Sequence, residues 1–125
     1  LELLDPAGEE RILDLFCGLG NFTLPIATRA GEVIGVEGDA ELVRRAGENA
    51  RRNGLENVSF YAADLTEEPG SAPWLKQRYD KVLVDPPRSG AEFILPHIAA
   101  SGAQRVVYVS CHPASQAAGE AILAH

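Results

Sequence analysis

The sequence predicts an α/β fold, a doubly wound parallel sheet with helices on both faces. Three observations carry this. Short runs rich in Val, Ile and Leu alternate with stretches of helical spacing, in a strand–helix order repeated five times. A Gly-x-Gly turn, Gly18-Leu19-Gly20, separates the first such run from the first helical stretch. The chemically distinctive residues cluster at strand ends: Asp14 to Asn21 at the first, Glu37 at the second, Asp64 at the third, Asp85 at the fourth and Cys111 at the fifth. Ligands of open parallel sheets bind outside the C-terminal ends of the strands, so the pattern converges on one rim.

In order, Leu1 to Glu10 reads as a lead-in with a turn at Asp5-Pro6 and Gly8. Arg11 to Phe16 is the first strand. Asn21 to Arg29 is the first helix, with Pro25 in its early turns and Gly31 ending it. The second strand is Glu32 to Glu37. Asp39 caps a helix over Ala40 to Asn53, whose Leu42, Val43, Ala46 and Ala50 form the inward stripe. Its arginines, 44, 45, 51 and 52, read as a solvated face rather than an RNA grip. Val58 to Ala62 is the third strand, and Thr66 to Pro73 a polar loop. Trp74 to Arg78 is a short helix, with Trp74 expected on the sheet edge. Asp80 to Asp85 is the fourth strand and Ala91 to Ala100 a helix. Arg105 to Ser110 is the fifth strand, and Cys111-His112-Pro113 leads into a last helix, Ala114 to Ala124.

At 125 residues with 46% hydrophobic composition, the chain is one globular domain, 1–125. A net charge of −7 argues against a broad phosphate-binding surface. The two cysteines, Cys17 and Cys111, stand far apart and suit reduced thiols in a cytoplasmic protein. No apolar run is long enough to span a membrane. The missing initial Met and the helical pattern at the end mark the chain as a domain from a longer protein.

The glycine turn sets the ligand class. Gly18 and Gly20 give backbone freedom and clear space for a ligand. Thr23 stands where a dinucleotide motif needs its third glycine, so no pyrophosphate need be held. Asp14 repels a pyrophosphate but suits a cation. S-adenosylmethionine, with an amino group, a sulfonium and no phosphate, fits both. Glu37 is placed to accept hydrogen bonds from ribose hydroxyls, and Asp64 to accept one from the adenine amine. Phe16 walls the adenosine or fills the core. Asn21 donates to the methionine carboxylate or caps the helix. No metal-ligand set is evident.

Asp85-Pro86-Pro87-Arg88 ends the fourth strand with a stiff backbone beside the methyl donor. Amino-methyltransferases follow a similar motif with an aromatic that stacks on the base; Arg88 stands there instead, so methylation of an exocyclic amine is disfavoured. Arg88 binds a phosphate or base carbonyl, or pairs with an acid. Cys111, in Ser110-Cys111-His112-Pro113, brings a thiol to the same rim. A thiolate there can add to carbon 6 of a pyrimidine and so activate carbon 5 towards a methyl electrophile; a base must then take the carbon-5 proton. A helix beginning after Pro113 would lower the thiol pKa. Cys17, inside the glycine turn, reads as packing.

Together DLFCGLGNF, VIGVEGD, FYAADL, PWLKQRYDKVLVDPPRSG and VVYVSCHP resemble the bacterial RNA uracil-5-methyltransferases, above all the branch that makes 5-methyluridine in 23S ribosomal RNA. The resemblance implies a Rossmann-like fold and an S-adenosylmethionine site of Phe16, Asn21, Glu37, Asp64 and Asp85. It implies Cys111 as nucleophile and ribosomal RNA as partner. His112 departs from the family's usual Asn. The family's general-base glutamate, its last two strands, its RNA-binding domain and the cysteine cluster of an iron–sulfur centre have no counterpart in this chain, and two cysteines cannot build that centre. Two consequences are expected. The isolated chain binds cofactor without turning over, and the fifth strand, left as an apolar edge, pairs with a second copy into a homodimer. The alternatives are a tRNA uracil-5-methyltransferase, another S-adenosylmethionine-dependent RNA methyltransferase with a structural Cys111, and a non-catalytic nucleotide-binding domain.

Overall fold

A computed structural model describes residues 4–65, 72–85, 94–112 and 117–123. Strands β1 (Arg11–Leu15), β2 (Glu32–Glu37), β3 (Val58–Ala62), β4 (Lys81–Val84) and β5 (Arg105–His112) are mutually parallel, and β6 (Ala117–Leu123) runs antiparallel to β5. The sheet order is β3-β2-β1-β4-β5-β6. Helices α1 (Thr23–Ala27), α2 (Ala40–Arg52) and α3 (Leu95–Ala100) connect strands, with a 3₁₀ turn over Pro73–Lys76 before β4.

Period-two alternation along the strands sorts side chains to two cores. Leu13 and Leu15 of β1 join Ile34, Val36, Val82, Val84 and Val106 with Trp74, Tyr79 and Ile98 on one face. Ile12, Val33, Leu83 and Val107 pack with Ile26 and Ala27 of α1 on the other. Burial on both faces explains why the central strands are almost wholly apolar, with Asp14 of β1 the exception. By the same alternation Asp14 shares the α1 face with Ile12.

Asp39 caps α2 as expected, its carboxylate accepting from Glu41 N and Leu42 N. Arg44 and Arg45 pair with Glu41, and Arg44 also with Glu48, on the exposed face. Helix α1 is shorter than the expected 21–29. Phe22 takes the N-cap position, and Thr28, whose hydroxyl donates back to Pro25 O, closes it.

Three expectations are corrected. Trp74 lies not at the sheet edge but in the middle of one core, 2% exposed, among central-strand residues. The stretch expected to be a terminal helix is a strand at 117–123, hydrogen-bonded to β5 over its whole length. The five parallel strands stand as expected, and β6 adds an antiparallel partner to the fifth. Strand β5, expected as the exposed edge of a homodimer, is covered by β6, which removes the ground for that dimer.

Tyr79 fastens the 3₁₀ turn: its buried hydroxyl donates to Trp74 O at 2.6 Å. Burial pushes its phenol up to about 12, so it stays a donor at every working pH. Tyr79→Phe would strand that carbonyl and is expected to cost about 1–2 kcal/mol. A thermal melt would show it as a drop of about 3–8 °C; an unchanged melt would mean that water replaces the hydroxyl.

Candidate cofactor site at the strand ends

The turn after β1 crosses the C-terminal ends of the central strands. Cys17 N donates to Val36 O at 3.0 Å and Asp85 N to Leu15 O at 3.3 Å, which ties the ends of β1, β2 and β4 together. Phe16 has φ +61, a left-handed conformation costing about 1–3 kcal/mol in a non-glycine residue. It turns the chain out of the strand while its ring packs against the Trp74 core. Gly18 (φ +57) and Gly20 (φ +88) continue the turn, and a Cβ on Gly18 would meet nothing within 4 Å. The space above Gly18 is open.

Two carboxylates shape this turn. Glu37, half-buried at the end of β2, accepts from Gly18 N at 3.1 Å and from Asp39 N at 2.9 Å. Each of its oxygens keeps a lone pair for a further donor. Asp14 is 1% exposed. Its Oδ2 accepts from the Thr23 hydroxyl at 2.5 Å, and its Oδ1 is buried with no hydrogen-bond partner. Burial raises its pKa to about 7, opposed by the Thr23 bond and reinforced by the negative field of Asp85. Asp85, half-buried beyond β4, is also raised by burial.

Cys17 is packed. It is 8% exposed, its thiol is pushed up to about 12 by burial and by Asp14 and Glu37, and Sγ lies 3.9 Å from Gly18 O. Gly35 makes room for it: a Cβ there would come within 3.1 Å of Cys17 Sγ and 2.8 Å of the Phe60 ring. A thiol held this far above neutrality is no nucleophile.

The other expected site residues divide. Asn21 is exposed in the turn and does not cap α1, since Phe22 holds that position. Asp64 is exposed just after β3, where Ala63 N is bound to Glu37 O at 2.9 Å. Cys111 lies within β5 rather than after it, at a backbone position opposite Ala118 of β6. Since Val84 of β4 is level with Tyr108, Cys111 sits beyond the end of β4, on the rim that carries Asp85. The helix expected to depress its pKa is replaced by β6, so that argument falls. Arg88 lies outside the described residues. Thr23, read from sequence only as a missing glycine, proves to be 0% exposed and the partner of Asp14. A hydroxyl in the first turn of the helix after a strand acid is the signal that could have found it.

A family model described as "Methyltransferase domain" matches residues 7–117. The chain belongs to the methyltransferase domain family. Within it, the 23S rRNA (uracil(1939)-C(5))-methyltransferase RlmD of Stenotrophomonas maltophilia (strain K279a) is 61% identical over 117 residues, 94% of this chain and 26% of that protein. The enzyme of the same name from Xylella fastidiosa (strain Temecula1 / ATCC 700964) is 60% identical over the same length and coverage. This methyltransferase domain thus spans about a quarter of the length of the curated relatives it matches. Among solved structures, the Pyrococcus abyssi tRNA (uracil-54, C5)-methyltransferase, in complex with S-adenosyl-L-homocysteine, aligns with TM-score 0.72 at 30% identity, covering 90% of this chain and 26% of its own. Bacillus YcgJ aligns with TM-score 0.74 at 24% identity, over 87% of this chain and 47% of its own, a likeness of fold.

Proposed function

We propose that this methyltransferase domain is the cofactor-binding and catalytic part of an enzyme that transfers a methyl group from S-adenosylmethionine to carbon 5 of a uridine in 23S ribosomal RNA. The observation that carries the reading is the single rim: an open glycine turn flanked by Asp14, Glu37 and Asp85, with Cys111 one strand beyond Asp85. The residues fit the cofactor. Asp14 offers a buried oxygen without a partner, Gly18 leaves open space, and Glu37 is held by two amides with acceptor capacity to spare.

Bound S-adenosylmethionine supplies an electrophilic methyl group. Glu37 accepts from the ribose hydroxyls and Asp64 from the adenine amine. Asp14 and Asp85 place negative charge beside the cationic end, Phe16 walls the adenosine, and Asn21 donates to the methionine carboxylate. Arg88 is assigned to the RNA. Cys111 acts on the base: its sulfur bonds to carbon 6 of uracil, the 5,6 double bond opens, and carbon 5 becomes the nucleophile. After methylation the carbon-5 proton leaves to a base, the double bond re-forms and the sulfur departs with its electron pair.

Calorimetric titration tests the cofactor half. S-adenosylhomocysteine is expected to bind and NAD is not; the reverse would sink the reading. Glu37→Gln is expected to weaken S-adenosylhomocysteine about tenfold or more, because a charged acceptor is replaced by a neutral one. Unchanged affinity would remove Glu37 from the site. A tRNA uridine is the second reading, favoured by the likeness to the Pyrococcus enzyme; the 61% identity to the ribosomal enzyme supports the first.

A further inference from the structure

One buried hydroxyl is left without a part in this scheme. Thr23 opens α1, is fully buried, and spends its O–H on Asp14 Oδ2 at 2.5 Å. A serine or threonine in the first turn of a helix commonly serves the backbone as a cap. Here the cap position belongs to Phe22, which makes no side-chain cap bond. The Thr23 bond instead crosses from helix to strand and fixes one oxygen of a carboxyl group whose other oxygen has no partner in a buried place. An unpartnered buried carboxylate oxygen is costly and calls for a ligand.

Among the described residues, the charges that act on the pair and on the neighbouring Cys17 are of one sign. Asp85 from the end of β4 acts on Asp14, and Asp14 together with Glu37 from the end of β2 acts on Cys17 in the turn. Helix α1, Thr-Leu-Pro-Ile-Ala, brings no charged group. Asp14 therefore holds its proton close to neutrality, through burial first and Asp85 second, with Thr23 pulling the other way. A cation arriving at Oδ1 reverses the balance.

We propose that Thr23 is a positioning residue for the cofactor: its hydroxyl holds Asp14 so that Oδ1 receives the cofactor's α-ammonium group, and cofactor uptake is coupled to loss of the Asp14 proton. The step balances. The carboxyl O–H bond breaks, its electron pair stays on oxygen, the proton passes to solvent, and a carboxylate–ammonium pair remains. The inference rests on the S-adenosylmethionine reading of the site and adds that affinity is proton-linked through Thr23.

The test compares S-adenosylhomocysteine, which carries the ammonium group, with methylthioadenosine, which lacks the amino-acid end. They are titrated by calorimetry into this chain, its Thr23→Val variant and its Thr23→Ser variant, in buffers of different ionisation enthalpy. Proton release is expected with S-adenosylhomocysteine and not with methylthioadenosine. Below about pH 7 the affinity for S-adenosylhomocysteine should fall as Asp14 protonates. Thr23→Val should weaken it about tenfold at neutral pH, leave methylthioadenosine within about twofold, and move the pH dependence upward; Thr23→Ser should restore both. Equal losses for both ligands, or an affinity for S-adenosylhomocysteine that does not change with pH, would overturn the proposal. Failure of both ligands to bind the unaltered chain would reject the cofactor reading itself. The Thr23–Asp14 coupling is then read without ligand, from the Asp14 carboxyl carbon resonance. Its midpoint is expected near neutrality and higher in Thr23→Val. Equal midpoints in the two proteins would overturn the role of Thr23.

Discussion

Cys111→Ala is expected to lower methyl transfer to uridine by at least about four orders of magnitude, while S-adenosylhomocysteine affinity stays within about twofold. The first effect follows from chemistry. Carbon 5 of uracil is a poor nucleophile until a sulfur has added at carbon 6, and no other described residue on the rim offers a thiolate, since Cys17 is buried with its thiol at about 12. The second follows from placement, because the turn and carboxylates of the cofactor site belong to β1, β2 and β4. The measurement is made in a chimera in which this chain replaces its counterpart in the Stenotrophomonas relative, with RNA carrying 5-fluorouridine. Fluorine at carbon 5 cannot leave as a proton does, so a complex that survives denaturation should accumulate with Cys111 and be absent with alanine. A surviving complex in the alanine variant would transfer the nucleophile's role elsewhere.

Asp14→Asn is expected to stabilise the ligand-free chain at neutral and alkaline pH while weakening cofactor binding. The sign follows from linkage. Burial raises the Asp14 pKa to about 7 in the folded chain, from the ordinary carboxylate value of 3.8. Between those values the unfolded chain has released a proton that the folded chain still holds. Stability contributed by this group is therefore full below the lower value and falls as pH rises through the window. The loss by pH 8 is on the order of 4 kcal/mol at most. Asparagine carries no charge to desolvate, and its carbonyl can still accept from Thr23. Melting curves should converge for the two proteins at about pH 4 and separate by several degrees at about pH 8, with the variant higher. Curves that stay parallel across that range would mean that Asp14 titrates normally. A site residue that lowers the stability of its own domain is a common cost of function.

The five parallel strands were legible because the central ones are buried on both faces and read as short runs rich in Val, Ile and Leu, whereas their order across the sheet was not read from the sequence. The α2 cap was legible because Asp39 precedes a helical stripe. The final strand was not. Ala117-Ala118-Gly119-Glu120-Ala121-Ile122-Leu123 is rich in helix formers, and only pairing with β5 makes it a strand. The Thr23–Asp14 bond was missed because Thr23 was read only against the third-glycine position of a dinucleotide turn, and not as a first-turn hydroxyl facing a strand acid. Glu37, by contrast, stood out because a strand-end acid next to a glycine turn has few other uses.

The stagger of the strands has a mechanical meaning. β4 accompanies β5 only from Arg105 to Tyr108, whereas β6 accompanies it from Val106 to His112. The segment bearing Cys111 is thus an overhang, braced on one side by β6 and on the other by nothing in β4. On the proposed reading, cofactor capture and base attack would be seated on separate foundations, one in the middle of the sheet and one at its margin. Under that proposal, changes confined to β6 would shift the backbone that carries Cys111 while leaving the turn between β1 and α1 as it was.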